Sequence, residues 1–533
     1  MPVQGNTNKD SAGEDLFQIE EKQTEIGVKA KRVAVSTTVP FKQPEEGFNQ
    51  RTLFPTNIFD VLPDDHDCYM YSDILGSLDV SELHKNYSVL GQNAYDPKTL
   101  ISILIYSYSQ RVFSSRQIAE KLHLDLGFMY ISKLQKPDFR VLSDFRKDNI
   151  EFFKKCFHQT VKLAFEIGLV KLGQISIDGS KFKASTSKHK AMSYGRLKAK
   201  EKELTYEVER LIRQAEKQDR QEDEKYKETT GYEVPEDLRY KQKRLKKIIE
   251  AREAIEQREE KLHPEKKVED KKQISFSDQE APPVISKGEF SYSYNGQISV
   301  DSHSQIIVGE HVSQSSNDKE QLEQAIEEIK QSVGELPEDV KVSIDNGYFS
   351  GNNLETLKVN EIDGYVACSK GEKESGGDGS IKKDNFEYHE EDDYFICPEG
   401  NKLEMVSNTS EGKKIYKAKK EDCDNCPMRN KCCRSKKGEP RIITTDRFEG
   451  LRQEMKEKMN LESSKEIYRQ RKVIVEPVFG QIKQSGFRGF SMRGKRKVAG
   501  EFSLICAVHN IKKIVRALKD RVSCPDPGIS LQY

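Results

Sequence analysis

The stretch Tyr468 to Lys483 places one acidic side chain, Glu476, in a run of cations: Arg469 to Lys497 holds nine Lys or Arg and one acid. A lone carboxylate there is either a surface ion-pair partner or a metal ligand beside a polyanion whose phosphates the cations hold. Two other acids follow β-like runs. Gln174-Ile175-Ser176-Ile177 leads into Asp178-Gly179, and Val340-Lys341-Val342-Ser343-Ile344 leads into Asp345-Asn346-Gly347. Taken singly, each aspartate reads as the cap of a following helix. Taken together, three carboxylates suit a hard divalent cation such as Mg²⁺ or Mn²⁺. Two such ions about 4 Å apart activate an attacking oxygen and stabilise a leaving one in phosphoryl transfer.

A second constellation is made of thiols: Cys397-Pro398, Cys423-Asp424-Asn425-Cys426-Pro427 and Cys432-Cys433. Cys423 and Cys426 form a good half-site for structural Zn²⁺, which Cys397 and Cys432 (or Cys433) would complete. Unliganded or redox-labile thiols are the competing reading, with an iron–sulfur cluster behind both. Cys68, Cys156, Cys368, Cys506 and Cys524 read as ordinary core or surface residues. From Gly486 to Lys497, Phe487 and Phe490 alternate with Arg488, Arg493, Lys495, Arg496 and Lys497, the pattern of a surface that binds phosphates and stacks bases. The rival is a solvated loop. His509, within an apolar helix, is given no chemistry.

These residues need elements to position them. Residues 1–45 are polar and read as a disordered leader. The span 46–170 is helical in pattern, with Asp96-Pro97 as a cap and first-turn pair. Its helix pairs resemble a helix-turn-helix, and DNA binding there is weighed evenly against plain packing. A β-like run then ends at Asp178. A polar stretch at 189–270 reads as an inserted, charged helical hairpin broken by Gly231 and Pro235. The runs Phe290 to Asp301 and Gln305 to Val312 read as a β-hairpin. Asn317-Asp318 is read as the cap of a helix to about Val333, and Gly364 to Cys368 as a last strand. The alternation implies an α/β domain with a mixed sheet over 171–368 and 438–515. In such sheets sites gather at the carboxyl ends of strands. Residues 369–437 are a Cys-rich insertion, and 516–533 a C-terminal tail.

With these motifs in place, the chain resembles bacterial insertion-sequence transposases of the DDE class. Tyr95-Asp96-Pro97, Ser115-Arg116 and Phe145-Arg146 are similar to their N-terminal domain. Ile177-Asp178-Gly179-Ser180 resembles the first catalytic motif and Asp345-Asn346-Gly347-Tyr348-Phe349-Ser350 the second. Val475-Glu476-Pro477-Val478-Phe479-Gly480-Gln481-Ile482-Lys483 resembles the third. The family's Tyr-Arg-Glu-Lys signature falls on Tyr468, Arg471, Glu476 and Lys483, with one extra residue between Arg471 and Glu476 that makes Lys472 the alternative to Arg471. The resemblance implies a ribonuclease-H-like core with flanking helices behind an all-α N-terminal domain. It implies Asp178, Asp345 and Glu476 as catalytic metal ligands. Tyr468, Arg471 and Lys483 would bind DNA, joined by Lys181, Lys183 and the basic residues after Gly486. Water would cut the phosphodiester at the element's end, and the released 3′-hydroxyl would attack target DNA. The partners implied are double-stranded DNA at the terminal inverted repeats and target, and a second copy of the chain. A non-catalytic DNA-binding descendant or a less specific nuclease are the alternatives.

Composition describes a protein with exposed polar helices and does not exclude a nucleic-acid partner. The 533 residues carry 88 basic and 88 acidic side chains, so distribution rather than net charge must provide any DNA-binding surface. Mean hydropathy is −0.77. The longest apolar run, near Leu100 to Tyr106, is too short to span a bilayer, and no apolar signal segment opens the sequence, so a cytoplasmic protein is expected, without membrane partners.

Overall fold

The computed structural model describes residues 42, 58–88, 93–186, 191–223, 236–262, 267–286, 289–315, 317–368, 381–409, 412–433, 435 and 438–523. Apart from Lys42, the expected leader lies outside these residues, as does Cys524.

The N-terminal part is all helix: α1 (Asp67–Ser77), α2 (Ser81–His84), α3 (Pro97–Ser109), α4 (Ser115–Leu124), α5 (Leu126–Ile131), α6 (Phe139–Asp148) and α7 (Ile150–Glu166). Its starts are written in the sequence. Asp96 accepts from the Lys98 amide at 3.0 Å with Pro97 in the first turn, and Asp138 accepts from Arg140 and Val141 at 2.8 and 2.9 Å. Every residue of α3 except Lys98 is buried, which makes it the central helix of the unit.

β1 (Gln174–Lys183) follows, then β2 (Ala191–Ser193), α8 (Tyr194–Asp223), α9 (Glu236–Leu262) and β3 (Gln273–Ser275). The two long helices pair over a narrow core of Leu197, Leu204, Ile248, Ala251 and Ile255. Arg252 and Glu259, which break any heptad, are paired here: Arg252 Nε reaches Glu201 at 2.8 Å and Lys272 reaches Glu259 at 2.8 Å. β2 pairs with β3 at the foot of the hairpin.

β4 (Pro283–Ser286), β5 (Glu289–Asp301), β6 (Ile307–Ser313), α10 (Leu322–Val333), β7 (Lys341–Ile344), α11 (Gly351–Val359) and β8 (Asp363–Val366) complete the main sheet. β5 lies antiparallel to β1, with β4 and β6 beside it, while β7 and β8 run parallel to β1 on its other edge. The sheet is therefore mixed. α10 starts at Leu322 rather than at Asn317-Asp318, because Asp318 is turned toward β5 and spends its carboxylate there.

β9 (Glu387–His389), β10 (Tyr394–Ile396), β11 (Lys402–Asn408), β12 (Lys414–Ala418), α12 (Lys420–Asp424), α13 (Arg429–Cys432) and β13 (Ile442–Thr445) make a separate antiparallel sheet around Phe386, Phe395, Leu403, Tyr416 and Ile443. β13 hydrogen-bonds to β12, so this unit reaches past the expected boundary at 437. The chain returns through α14 (Glu449–Asn460), α15 (Glu462–Ile474), α16 (Glu476–Gln484) and α17 (Lys495–Ser523). α17 continues eight residues beyond 515, where a tail was expected. It packs on α7, α3 and β6 and so ties the helical unit to the main sheet. A Cβ at Gly500 would lie 2.5 Å from Ile150 Cγ2 and 2.8 Å from its carbonyl oxygen, so α17 meets α7 where only glycine fits. Among the described residues no helix is long and apolar enough to cross a membrane.

Candidate active site

β1 is a ten-residue strand, so Asp178 stands in its interior and not at its end as the sequence suggests. The strand continues past Asp178 in its ladder with β5 to Lys183, and Phe182, on the same face as Asp178, is buried among Phe479, Phe487, Phe490 and Phe502. The parallel ladder to β7, however, stops at Ile177 opposite Ile344. The next residue on each strand is an aspartate. Asp178 and Asp345 are therefore neighbours at the carboxyl end of the parallel pair, where the chains diverge. Asp345 also caps the short turn Asn346–Tyr348, accepting from the Gly347 amide at 3.2 Å, so the cap reading holds for one of its oxygens.

α15 lies across this face. Gln174 Nε2 donates to the Ile467 carbonyl at 3.0 Å, and Ser176 and Ser343 hydroxyls bond to each other at 2.6 Å beneath it. α15 ends at Ile474 and α16 begins at Glu476, with Pro477 in the first turn where its missing N–H costs nothing. Val475 still donates to the Arg471 carbonyl at 3.1 Å, so the two helices form one kinked rod. The kink carries Glu476 to the aspartates.

Arg471 joins the three acids. Its guanidinium reaches Asp178 Oδ2 at 3.0 Å, Asp345 Oδ1 at 3.0 Å and Glu476 Oε1 at 3.3 Å. The arginine side chain is 10% exposed, against 18%, 30% and 49% for the acids, so the pairs are largely shielded from water on the aspartate side. Burial pushes the Asp178 carboxyl up to about 6; Arg471 pulls it down and Asp345 adds to the rise. Burial opposes the charge of Arg471, but Asp178 and Asp345 outweigh it and hold the guanidinium above its ordinary range. Arg471 thus faces the acids, while Lys472 is exposed. The guanidinium lies over the Tyr468 ring, 5.8 Å from its centroid.

Lys483 donates to Ser180 and sits 5.4 Å from the Phe182 ring, with its ammonium lowered by burial. It flanks the acids from the β1 side. Lys181 points to the other face of β1, where its ammonium bonds the Ser315 carbonyl at 3.3 Å; Lys183 is exposed. Arg488, Arg493, Lys495 and Arg496 are all exposed, with Arg493 on the Ser185 carbonyl and Arg496 on Glu151 at 2.6 Å. The aromatics between them differ from expectation. Phe487 and Phe490 are buried around Phe182, so they anchor the loop and present no stacking surface. Phe490 donates its amide to the Lys183 carbonyl at 2.8 Å, which stitches the loop to the end of β1.

The structure adds residues that the sequence did not single out. Behind β1, Asp318 accepts from Asn295 and Gln297 at 2.6 Å each, and the buried Tyr348 hydroxyl donates to Gln297. A Cβ at Gly179 would lie 2.3 Å from Gln297 Nε2, so glycine next to Asp178 makes room for this buttress. The available signal was the polar run Asn295, Gln297, Ser299 and Asp301 on alternate positions of a strand that is buried from Tyr292 to Asp301.

Among the described residues, no three His, Cys, Asp or Glu side chains are spaced to hold a metal ion. At the acids the guanidinium occupies the middle and sets the spacing. Cys423 and Cys432 are buried in the core of the second sheet, with Cys397 and Cys433 packed against it. Burial raises the thiols of Cys423, Cys432 and Cys433, which favours the neutral form over the thiolate a metal requires. Cys397, Cys423, Cys426 and Cys432, the expected Zn²⁺ ligands, thus lie in or against the core of the second sheet or within its loop.

Residues 396–515 match the family model described as a transposase DDE domain, and residues 56–148 match a model described as a transposase domain. The first match contains Glu476, Arg471 and Lys483; Asp178 and Asp345 lie outside it. No curated protein matches the chain.

Proposed function

We infer, for a chain that is a DDE transposase of an insertion sequence, that Asp178, Asp345 and Glu476 are its catalytic acids and jointly bind Mg²⁺ or Mn²⁺. One observation carries the reading: acids from β1, from the end of β7 and from the start of α16 converge on a single buried cation. A set of carboxylates already gathered round one positive charge fits a hard divalent ion of the same sign. The sheet supports a ribonuclease-H-like core, with three antiparallel strands followed by two parallel ones in the order β6-β5-β1-β7-β8.

A divalent cation held there supplies Lewis acidity for in-line displacement at phosphorus. The chain's own residues do the rest. Asp178 and Asp345, fixed by the sheet, define where the scissile phosphate must lie. Glu476, half exposed at the kink, closes the set from the DNA side. Arg471 balances the acids until DNA arrives and then turns to a phosphate, a role that bidentate guanidinium geometry suits. Lys483, anchored on Ser180, holds the backbone on the far side. Water cleaves the strand first, and the 3′-hydroxyl it frees attacks the target next. Two such chains, one per element end, act as a homodimer on DNA.

The test is strand transfer of an element-end duplex with Mg²⁺. Asp178→Ala and Glu476→Gln each lose activity by orders of magnitude while still binding the duplex. Near-wild-type transfer by either variant refutes the assignment.

A further inference from the structure

A pocket of about 230 Å³ lies beyond the acids, between the end of α3, the flank of α16 and one face of α17. Its charged lining is Arg111, Lys512, Lys513 and Arg516, and it contains no acidic residue. On α17 the lining positions Ile505, His509, Lys512 and Arg516 fall four, three and four residues apart, which places them on one helix face. His509 adds no charge, because burial lowers it to about 4 and its ring nitrogen bonds the Gln305 carbonyl at 2.9 Å.

Four cations without acids are unusual in a protein whose surface is otherwise laced with ion pairs. Among the described residues none of the four takes part in a salt bridge. Asp67, the acid that acts on Lys512, is paired with Lys519. Burial lowers the ammonium groups of Lys512 and Lys513, and Arg111 and Arg516 respectively lower them further. Arg111 is also held at a φ of 65°, a left-handed conformation that is costly for a residue with a Cβ. Such crowding destabilises the chain unless a polyanion relieves it.

The pocket and the catalytic acids share α16, with Gln481 and Ser485 on the helix face turned away from Glu476. Gln481, Gln484 and Ser485 line it, while Glu476 begins the same helix. Gln305 bridges the two regions, accepting from Lys513 at 2.8 Å and donating to the Val473 carbonyl at 2.8 Å.

We propose that this cleft seats backbone phosphates of duplex DNA outside the catalytic acids, held by Arg111, Lys512, Lys513 and Arg516. That the duplex is the transposase's substrate rests on the reading above; the charge argument does not.

The experiment is fluorescence anisotropy of a labelled 30-base-pair duplex (~30, long enough to cover the site) without divalent metal, across a salt series. The full-length Lys512→Gln/Arg516→Gln protein is compared with wild type and with the charge-preserving Lys512→Arg. The slope of log affinity against log salt falls by about 1.8 in the double variant, about 0.9 for each charge lost. Lys512→Arg keeps the wild-type slope, and thermal melting confirms that both variants fold. An unchanged slope in the folded double variant overturns the proposal and leaves the catalytic reading intact. Wild-type protein that binds no duplex overturns it as well. A reduced slope alongside active Asp178→Ala supports the phosphate seat while removing the catalytic reading.

Discussion

Replacing Arg471 by Gln removes the cation that now stands among the acids, and its main consequence is tighter metal binding. The guanidinium makes three contacts of 3.0, 3.0 and 3.3 Å to Asp178, Asp345 and Glu476. A divalent ion entering the same space must displace them. Hydrogen bonds to charged groups are each worth about 1.5–3 kcal/mol. A guanidinium that swings outward regains water, so the net cost of displacement is on the order of one such bond. At about 1.4 kcal/mol per tenfold, Arg471→Gln binds Mn²⁺ roughly ten- to a hundredfold more tightly than wild type. Electron paramagnetic resonance of free Mn²⁺, titrated into DNA-free protein near neutral pH, reads this directly. The variant also melts at lower temperature without metal, because like charges are left facing one another, and gains more from added Mn²⁺. Unchanged or weaker Mn²⁺ affinity in the folded variant refutes the idea that Arg471 occupies the cation's place.

Other expectations follow from the same structure. Burial raises Asp178 from 3.8 to about 6. The folded state therefore holds this proton more tightly than the unfolded chain, and wild type loses stability from this group as pH rises through that window. Asp178→Asn lacks that loss, so denaturation at pH 4 and at pH 7.5 finds the variant gaining on wild type at the higher pH; a difference that does not change with pH counts against the shift. Gly500→Ala drives a methyl group into Ile150 and costs about 1–3 kcal/mol in urea unfolding, the usual penalty for overpacking.

The parts of the site legible in the sequence are those set by short-range pattern. Asp345 follows an apolar run and precedes Asn-Gly, and that local chemistry marks the end of a strand. The helix starts at Asp96-Pro97 and Asp138 are equally local. Asp178 was harder, since its strand runs on to Lys183 and only the partner's end at Ile344 makes it a terminal position. Arg471 reads as a DNA contact because it lies among cations in sequence; its three partners come from segments up to 293 residues away. Asp318 reads as a helix cap because Asn-Asp before an apolar stretch usually is one, whereas here Asn295 and Gln297 claim the carboxylate. Phe487 and Phe490 look exposed among arginines until β1 delivers Phe182 to them. The thiols have ligand-like spacing, but spacing carries no information about the core in which Cys423 and Cys432 are buried.

The central claim is that Asp178, Asp345 and Glu476 share metal. The most direct measurement is anomalous diffraction from crystals of the protein with Mn²⁺ and an element-end duplex. The account predicts a Mn²⁺ peak within bonding distance of carboxylate oxygens from all three residues, with the Arg471 guanidinium moved off them toward a DNA phosphate. A peak bound elsewhere, or one that Glu476 does not reach while Arg471 keeps its three contacts, contradicts it.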